Sequence, residues 1–413
     1  MALPIRVGIT HGDINGVGYE VILKALADET MTELCTPVIF GYHSIAEKAR
    51  RQFGLEDMRL YRAQSPAHAQ PGRISVVEVS QNAPEVTPGE PTQVSGEAAV
   101  AALEAATAAL EAGQIDVLVT APISKEAVQS DKFHFPGHTE YLEARIGKGS
   151  RSRMILFDDK VRVALVSTHL PISKVASAVT PESVEAAIVS LASSLKKDFG
   201  IPRPRIAVLS LNPHAGDGGL LGNEEKEIIE PVINACREDG ILAFGPFAAD
   251  GFFGMGNYNY FDGIVSMYHD QGLAPFKTIA GEKGVNFTAG LPYVRTSPDH
   301  GTAFGIAWKG EADPTSMREA IYAALDIFRR RTIFEEASAN PLKKYGTDKP
   351  DRGERQERMP KKDKPGDDQP EGVEQKGGQR MGKETPARQN PNQQNDRNNQ
   401  TEDTGNNEQT TES

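Results

Sequence analysis

Three of the nine histidines in this chain share one setting. His169 follows Val166-Ser167-Thr168, His214 follows Leu211-Asn212-Pro213, and His269 follows Met267-Tyr268, each just beyond a run with strand character. Carboxyl ends of parallel strands are where open α/β sheets collect ligands. Three imidazoles brought there from separate strands would hold a divalent cation and leave coordination positions open for substrate. Taken singly, each histidine reads better as a hydrogen-bonding loop residue; their equivalent positions favour the metal. Lys277, Asn286 and Arg295 follow His269 at even spacing. Guanidinium grips a phosphate or carboxylate with two parallel bonds and ammonium acts as a point charge, so this cluster beside a metal suits a small phosphorylated or carboxylated substrate. Solvated surface charge is the competing reading. Phe135-Pro136-Gly137-His138-Thr139-Glu140 is a tight turn that presents His138 and Thr139, either to such a site or as a cap for the helix that follows.

Short β-branched runs alternate with longer helical patterns and would position these groups. Strands are expected over Ile5–Thr10, Pro37–Gly41, Ile74–Val79, Asp116–Thr120, Val161–Val166, Arg205–Leu211 and Gly263–Ser266. Helices are expected over Gly18–Leu26, Gly96–Ala112, Pro181–Lys197, Glu224–Arg237 and Pro314–Arg331. Thr180-Pro181 and Asp313-Pro314 carry the N-cap and first-turn proline arrangement, and Ser95 precedes the alanine-rich helix. Such alternation argues for an α/β protein with a largely parallel sheet.

Composition bounds the rest. The chain has 413 residues and a net charge of −12. Residues 341–413 contain six hydrophobic side chains and nearly balanced charge, too little apolar surface to offset chain entropy. That segment is expected to be disordered, leaving 1–340 as the catalytic body with a net charge of −11. An acidic body argues against nucleic acid or an anionic membrane as partner. Two cysteines make neither a disulfide framework nor a cysteine zinc site. No apolar run approaches the ~18 residues of a membrane helix, and the N-terminus enters a strand without a signal-peptide core. A soluble, cytoplasmic protein is expected. Gly12, Gly16 and Gly18 follow the first strand, but their spacing departs from the dinucleotide fingerprint, as does Gly216-Asp217-Gly218-Gly219.

The motifs together resemble the 4-hydroxythreonine-4-phosphate dehydrogenase family of vitamin B6 biosynthesis. The likeness rests on His169, Leu211-Asn212-Pro213-His214-Ala215-Gly216, Tyr268-His269-Asp270-Gln271-Gly272 with Pro275-Phe276-Lys277, and Gly290-Leu291-Pro292 through Arg295 to Ser297-Pro298-Asp299-His300-Gly301-Thr302-Ala303. It extends to Pro91-Thr92 with Ser95-Gly96, Thr120-Ala121-Pro122-Ile123-Ser124-Lys125 and Gly137-His138-Thr139-Glu140, and covers residues 4 to 332. It implies an isocitrate/isopropylmalate dehydrogenase-like fold, a two-domain α/β/α body of two interleaved lobes working as a homodimer. His169, His214 and His269 would ligate one divalent metal (zinc, magnesium or cobalt) at the subunit interface, one ligand coming from the partner. His138, Thr139, Lys277, Asn286 and Arg295 would bind substrate. His300, Gly301, Thr302, Ala303 and Asp313 would bind NAD or NADP, and Asp270 would handle protons or orient His269. The family opening has prolines where this chain has Ile14 and Tyr19, so no role is carried onto that loop. Trp308 stands where the cofactor loop has a small residue.

The implied reaction is oxidation of 4-phosphooxy-L-threonine at its C3 hydroxyl with NAD(P), followed by decarboxylation to 3-amino-2-oxopropyl phosphate in pyridoxine 5'-phosphate biosynthesis. A paralogous dehydrogenase of 4-phosphothreonate or 4-phosphoerythronate is the nearest alternative. A three-histidine metal phosphohydrolase would form product without reducing NAD. A metal-dependent scaffold would lose its function with the tail.

Overall fold

A computed structural model describes residues 4–131 and 133–341; the tail expected from Pro341 onward lies, apart from that residue, outside them. Twelve strands form one sheet: β1 Ile5–Thr10, β2 Cys35–Gly41, β3 Leu60–Ala63, β4 Ile74–Glu78, β5 Val117–Thr120, β6 Arg153–Phe157, β7 Arg162–Leu165, β8 Arg205–Leu209, β9 Leu242–Phe247, β10 Gly263–Ser266, β11 Val285–Ala289 and β12 Val294–Pro298. Their order is β3-β4-β2-β1-β5-β12-β11-β6-β7-β10-β8-β9. Six strands from β3 to β12 are parallel, and so are the four from β7 to β9. Between them lie three antiparallel steps, β12/β11, β11/β6 and β6/β7. An odd number of reversals sets the two parallel halves in opposite directions. Eight of the eleven pairings are parallel, as the strand–helix alternation suggested, and the three reversals make the sheet mixed.

Alternation of side chains along each strand shows three layers. Ile39, Val117, Val119, Ile155, Ala164, Ile206 and Val208 belong to one core cluster. Their neighbours Val38, Phe40 and Leu118 belong to a second, and Leu156, Val163, Leu165, Ala207 and Leu209 to a third. Helices Gly18–Ala25, Pro181–Lys197 and Thr315–Ser338 cover the first face. Gln93–Glu111 covers the second cluster and His269–Ala280 the third. The expected α/β/α layering is what these residues build. Among the described residues no single helix is long and apolar enough to cross a membrane.

Helix starts follow local chemistry. Thr180 accepts from the Ser183 backbone N–H while Ser183 returns a bond to the Thr180 N–H, with Pro181 in the first turn. The alanine-rich helix starts at Gln93 because Thr92, not Ser95, is its N-cap; Ser95 closes the reciprocal bond. Asp313 caps from one residue further out than expected: Pro314 stands at the N-cap position, and the Asp313 carboxylate accepts from the Thr315 N–H at 2.6 Å. Gly96 lets that helix touch the next loop, since a Cβ there would lie 1.8 Å from the Ala127 carbonyl oxygen.

The N-terminal loop is clamped rather than free. Val17 N–H donates to the Thr302 carbonyl at 3.0 Å, and a Cβ on Gly16 would lie 2.8 Å from that oxygen. Trp308 is buried, donates from Nε1 to the Ile14 carbonyl at 2.9 Å and packs on Phe53. His11, at the start of this loop, is fully buried, and burial lowers its pKa from 6.5 to about 4 despite a bond to the Gly12 carbonyl. Unfolded His11 takes up a proton as pH falls through 6.5, whereas folded His11 does so only near 4. Its contribution to stability is thus complete above pH 6.5 and is lost toward pH 4, by about 3 kcal/mol. Denaturant midpoints measured across that window should fall less steeply in a non-titrating His11→Gln variant. An unchanged slope would show that His11 is not the titrating group.

Candidate active site

A cavity of about 260 Å³ opens where β5, β11 and β12 meet the turn before helix His138–Ile146. Of the expected substrate residues, His138, Thr139, Asn286 and Arg295 line it. Arg295 is the strongest feature. Its side chain is 3 % exposed, and its guanidinium donates to the Thr120 hydroxyl at 2.5 and 3.2 Å and to the Thr288 hydroxyl at 3.0 Å. Among the described residues no carboxylate pairs with it. Burial lowers its pKa to about 10, with the charge of Glu140 opposing, so it stays cationic at neutral pH. A buried charge without a counter-ion costs several kcal/mol unless an anionic ligand supplies one.

Three further polar atoms in this cavity are buried without partners: His138 Nε2, Asn286 Oδ1 and His300 Nε2. Buried polar groups of folded proteins are almost always paired, so these three orphans mark positions that a ligand completes. Burial, then the charge of Arg295, holds the His138 pKa well below 6.5 and keeps that ring neutral. The Nδ1 of His300 lies 2.9 Å from the Gly301 carbonyl, which makes Nδ1 the protonated nitrogen and leaves Nε2 as an acceptor.

The metal-type histidines divide. His169 lines the cavity, and its ring centroid lies 5.7 Å from that of His269. Burial first, then Lys125 and His269, lower the His169 pKa, so the ring is neutral and able to ligate. His269 is the first residue of its helix, and its Nδ1 lies 2.6 Å from the Asp270 carboxylate. That contact orients the ring and leaves Nε2 free, the carboxylate–imidazole pairing typical of metal ligands. These two residues fit a divalent cation. His214 does not join them. It begins a run of left-handed residues, His214 to Gly218, of which His214, Ala215 and Asp217 are not glycine. Glu225 pins the approach to this turn by accepting from the Leu211 and Asn212 backbone N–H groups at 2.8 Å each. Among the described residues of one chain, no three histidine, cysteine or acidic side chains meet as a metal site.

Lys277 is not among the cavity-lining residues; its amine sits on Asp299, 2.7 Å from the carboxylate. Burial raises the Asp299 pKa, with Lys277 opposing. A second cavity of about 260 Å³ lies on the other side of His300, lined also by Val17, Gly284, Ala303, Ile306 and Asp313. His300 thus borders both cavities, Gly301 the first, and Ala303 and Asp313 the second. Thr302 borders neither; its carbonyl is taken by the N-terminal loop. An apolar wall from Val17 and Ile306, with an acceptor on His300, fits a nicotinamide dinucleotide reaching toward the substrate cavity. Lys125, Glu140, Met154 and Ser297 line the first cavity as well and carried no assigned role from sequence.

Comparison with known proteins identifies the family. The family model described as pyridoxal phosphate biosynthetic protein PdxA matches residues 33–324. A 4-hydroxythreonine-4-phosphate dehydrogenase of Bacteroides thetaiotaomicron is 52% identical over 84% of this chain and 95% of its own length. A D-threonate 4-phosphate dehydrogenase of Pectobacterium atrosepticum is 36% identical over 78% and 98% respectively. The crystal structure of 4-hydroxythreonine-4-phosphate dehydrogenase from Klebsiella pneumoniae superposes with a TM-score of 0.69 at 34% identity, covering 79% of this chain and 99% of that one. A mixed sheet with an anion-hungry cavity beside paired histidines, and a sequence match across nearly the whole described body, place the chain in the PdxA family of dehydrogenases.

Proposed function

We propose that this protein oxidises 4-phosphooxy-L-threonine at C3 with NAD or NADP and releases CO2 to give 3-amino-2-oxopropyl phosphate for pyridoxine 5'-phosphate synthesis in the cytoplasm. The carrying observation is Arg295, a buried guanidinium with no carboxylate at ion-pair distance among the described residues, in a cavity with three unpartnered polar atoms. A phosphate fits that cradle: Arg295 grips two oxygens, and His138, Thr139 and the Asn286 side-chain NH2 donate to the remainder, while Asn286 Oδ1 is left to accept from a hydroxyl or ammonium of the substrate. Held there, the substrate has little freedom, and its C3–H is fixed relative to the second cavity. His169 and His269 would hold a divalent ion (zinc, magnesium or cobalt) that would supply Lewis acidity, and the cavity beyond His300 would hold a nicotinamide cofactor that would supply a hydride acceptor. His169 contributes a neutral ring, and Asp270 holds the His269 ring in one orientation. Asp270 is thereby assigned an orienting role. Lys277 remains on Asp299, which borders the cofactor cavity. His300, Gly301, Ala303 and Asp313 line the path of the cofactor, with Thr302 holding the loop.

The active unit is proposed to be a homodimer in which His214 of one copy completes the His169–His269 pair of the other. Large apolar side chains stand exposed beside both loops, Ile172 at 74 % and Leu220 at 80 %, as an interface with a second copy would require. The related D-threonate 4-phosphate dehydrogenase favours a second reading, in which the substrate is a phosphorylated four-carbon hydroxy acid without the amine. Purified protein given each substrate with NAD+ or NADP+ and a panel of divalent ions should reduce the nicotinamide with 4-phosphooxy-L-threonine at the higher kcat/KM. Higher turnover of D-threonate 4-phosphate would move the assignment to the second reading. No reduction with either, under every metal, would refute both.

A further inference from the structure

The substrate proposed above has two anionic ends, a phosphate and the carboxylate that leaves as CO2, yet only one of the cations assigned from sequence reaches the cavity. Arg295 is there; Lys277 is bound to Asp299. A different ammonium fills the gap. Lys125 lines the cavity on the same side as His169, at the end of the loop that leaves β5, and no carboxylate pairs with it among the described residues. Its charge is felt at the His169 ring, where it opposes protonation. Arg295 lies at the closed end with Thr120 and Thr288. The cavity thus carries one buried cation and one exposed cation whose charge reaches the histidine, with the Glu140 carboxylate also on its lining.

We infer that Lys125 is the second anion-binding residue of the site and holds the substrate carboxylate while Arg295 holds the phosphate. Two fixed cations then set the direction in which the substrate enters. The exposed position suits the group that must depart: CO2 is neutral, so once the C–C bond breaks the ammonium no longer holds it. A phosphate at Lys125 would place the carboxylate on the buried guanidinium, where loss of the charge would leave Arg295 unpaired again. This assignment rests on the reading of the substrate as a phosphorylated four-carbon acid.

The test is calorimetric titration of the full metal-loaded chain and its Lys125→Met variant with 4-phosphooxy-L-threonine and with its carboxamide. Methionine keeps the length of the stem and removes only the charge. The variant should bind the acid about tenfold more weakly and the amide with unchanged affinity, and Lys125→Arg should recover most of the loss. Equal affinity of variant and wild type for the acid would overturn the inference, because the ammonium would then be ordinary surface charge. Equal losses for acid and amide would also overturn it, placing Lys125 on the phosphate. Failure of the wild type to bind either 4-phosphooxy-L-threonine or D-threonate 4-phosphate would instead refute the substrate reading itself, and the inference with it.

Discussion

Replacing Arg295 with methionine should raise the KM for the phosphorylated substrate by about two orders of magnitude and leave the affinity for nicotinamide dinucleotide unchanged. The guanidinium is buried and its bonds run only to the hydroxyls of Thr120 and Thr288. A desolvated charge pair with phosphate is worth roughly 3 kcal/mol or more, which is ~10²-fold in affinity. The same burial gives a second, opposite expectation for the ligand-free protein. There the cation has no counter-ion, so an apolar isostere of similar length should leave Tm unchanged or raise it. Thermal unfolding of both proteins with and without substrate checks the pair of outcomes. A large fall in Tm of the free variant, with KM unaltered, would make Arg295 a structural strut between β5 and β12 and remove the anion site from the cavity.

How much of this was legible in the residues depended on whether the signal was local. The Thr180-Pro181 start declares itself within four residues, and its helix runs over Pro181–Lys197 as expected. Strands β11 and β12 did not declare themselves. Val285–Ala289 and Val294–Pro298 lie in the centre of the sheet, where a strand should be apolar on both sides. Asn286 and Arg295 interrupt that pattern because they enter the cavity, Thr288 because it holds the Arg295 guanidinium, and Thr296 because it donates to the Ala320 carbonyl of the C-terminal helix. The residues that made the site visible are the ones that hid the strands. Reversal of the sheet at β11 and β6 was equally invisible, since periodicity carries no strand direction.

Pairings across the sequence were the least legible. Lys277, Asn286 and Arg295 are evenly spaced, but even spacing does not bring side chains together: Lys277 is on a helix and turns to Asp299, whereas the other two lie on adjacent strands and share the cavity. Lys125 stood in a quoted motif without a role because a lone lysine after a strand looks like any surface charge. Trp308, which departs from the family's small residue, is explained by packing: it bridges Phe53 and the Ile14 carbonyl and locks the altered N-terminal loop.

The histidines give the expectation with the largest effect. His169→Ala and His269→Ala should each lose the bound metal and nearly all turnover while the fold persists, because the two rings face each other at 5.7 Å on one chain. His214→Ala should do the same for a different reason: within one chain it does not join the pair, and in the proposed homodimer it completes the site of a second copy. Mixing separates the two cases. Arg295 and His169 line one cavity of one chain. A heterodimer of His214→Ala with Arg295→Met would therefore hold one intact site, built from the cavity of the first chain and His214 of the second. Free exchange makes half of the dimers mixed, so about a quarter of the wild-type activity should return. His169→Ala mixed with His269→Ala should recover nothing, since each cavity keeps its own defect in every combination. Metal content measured alongside should stay at about half of the sites in the first mixture, because Arg295→Met keeps every metal histidine, and near zero in the second. No recovery in the first mixture, with heterodimers demonstrated by native mass spectrometry, would confine all ligands to one chain and end the shared-site proposal. Recovery in the second mixture would separate His169 from His269 and contradict the arrangement of the pair itself.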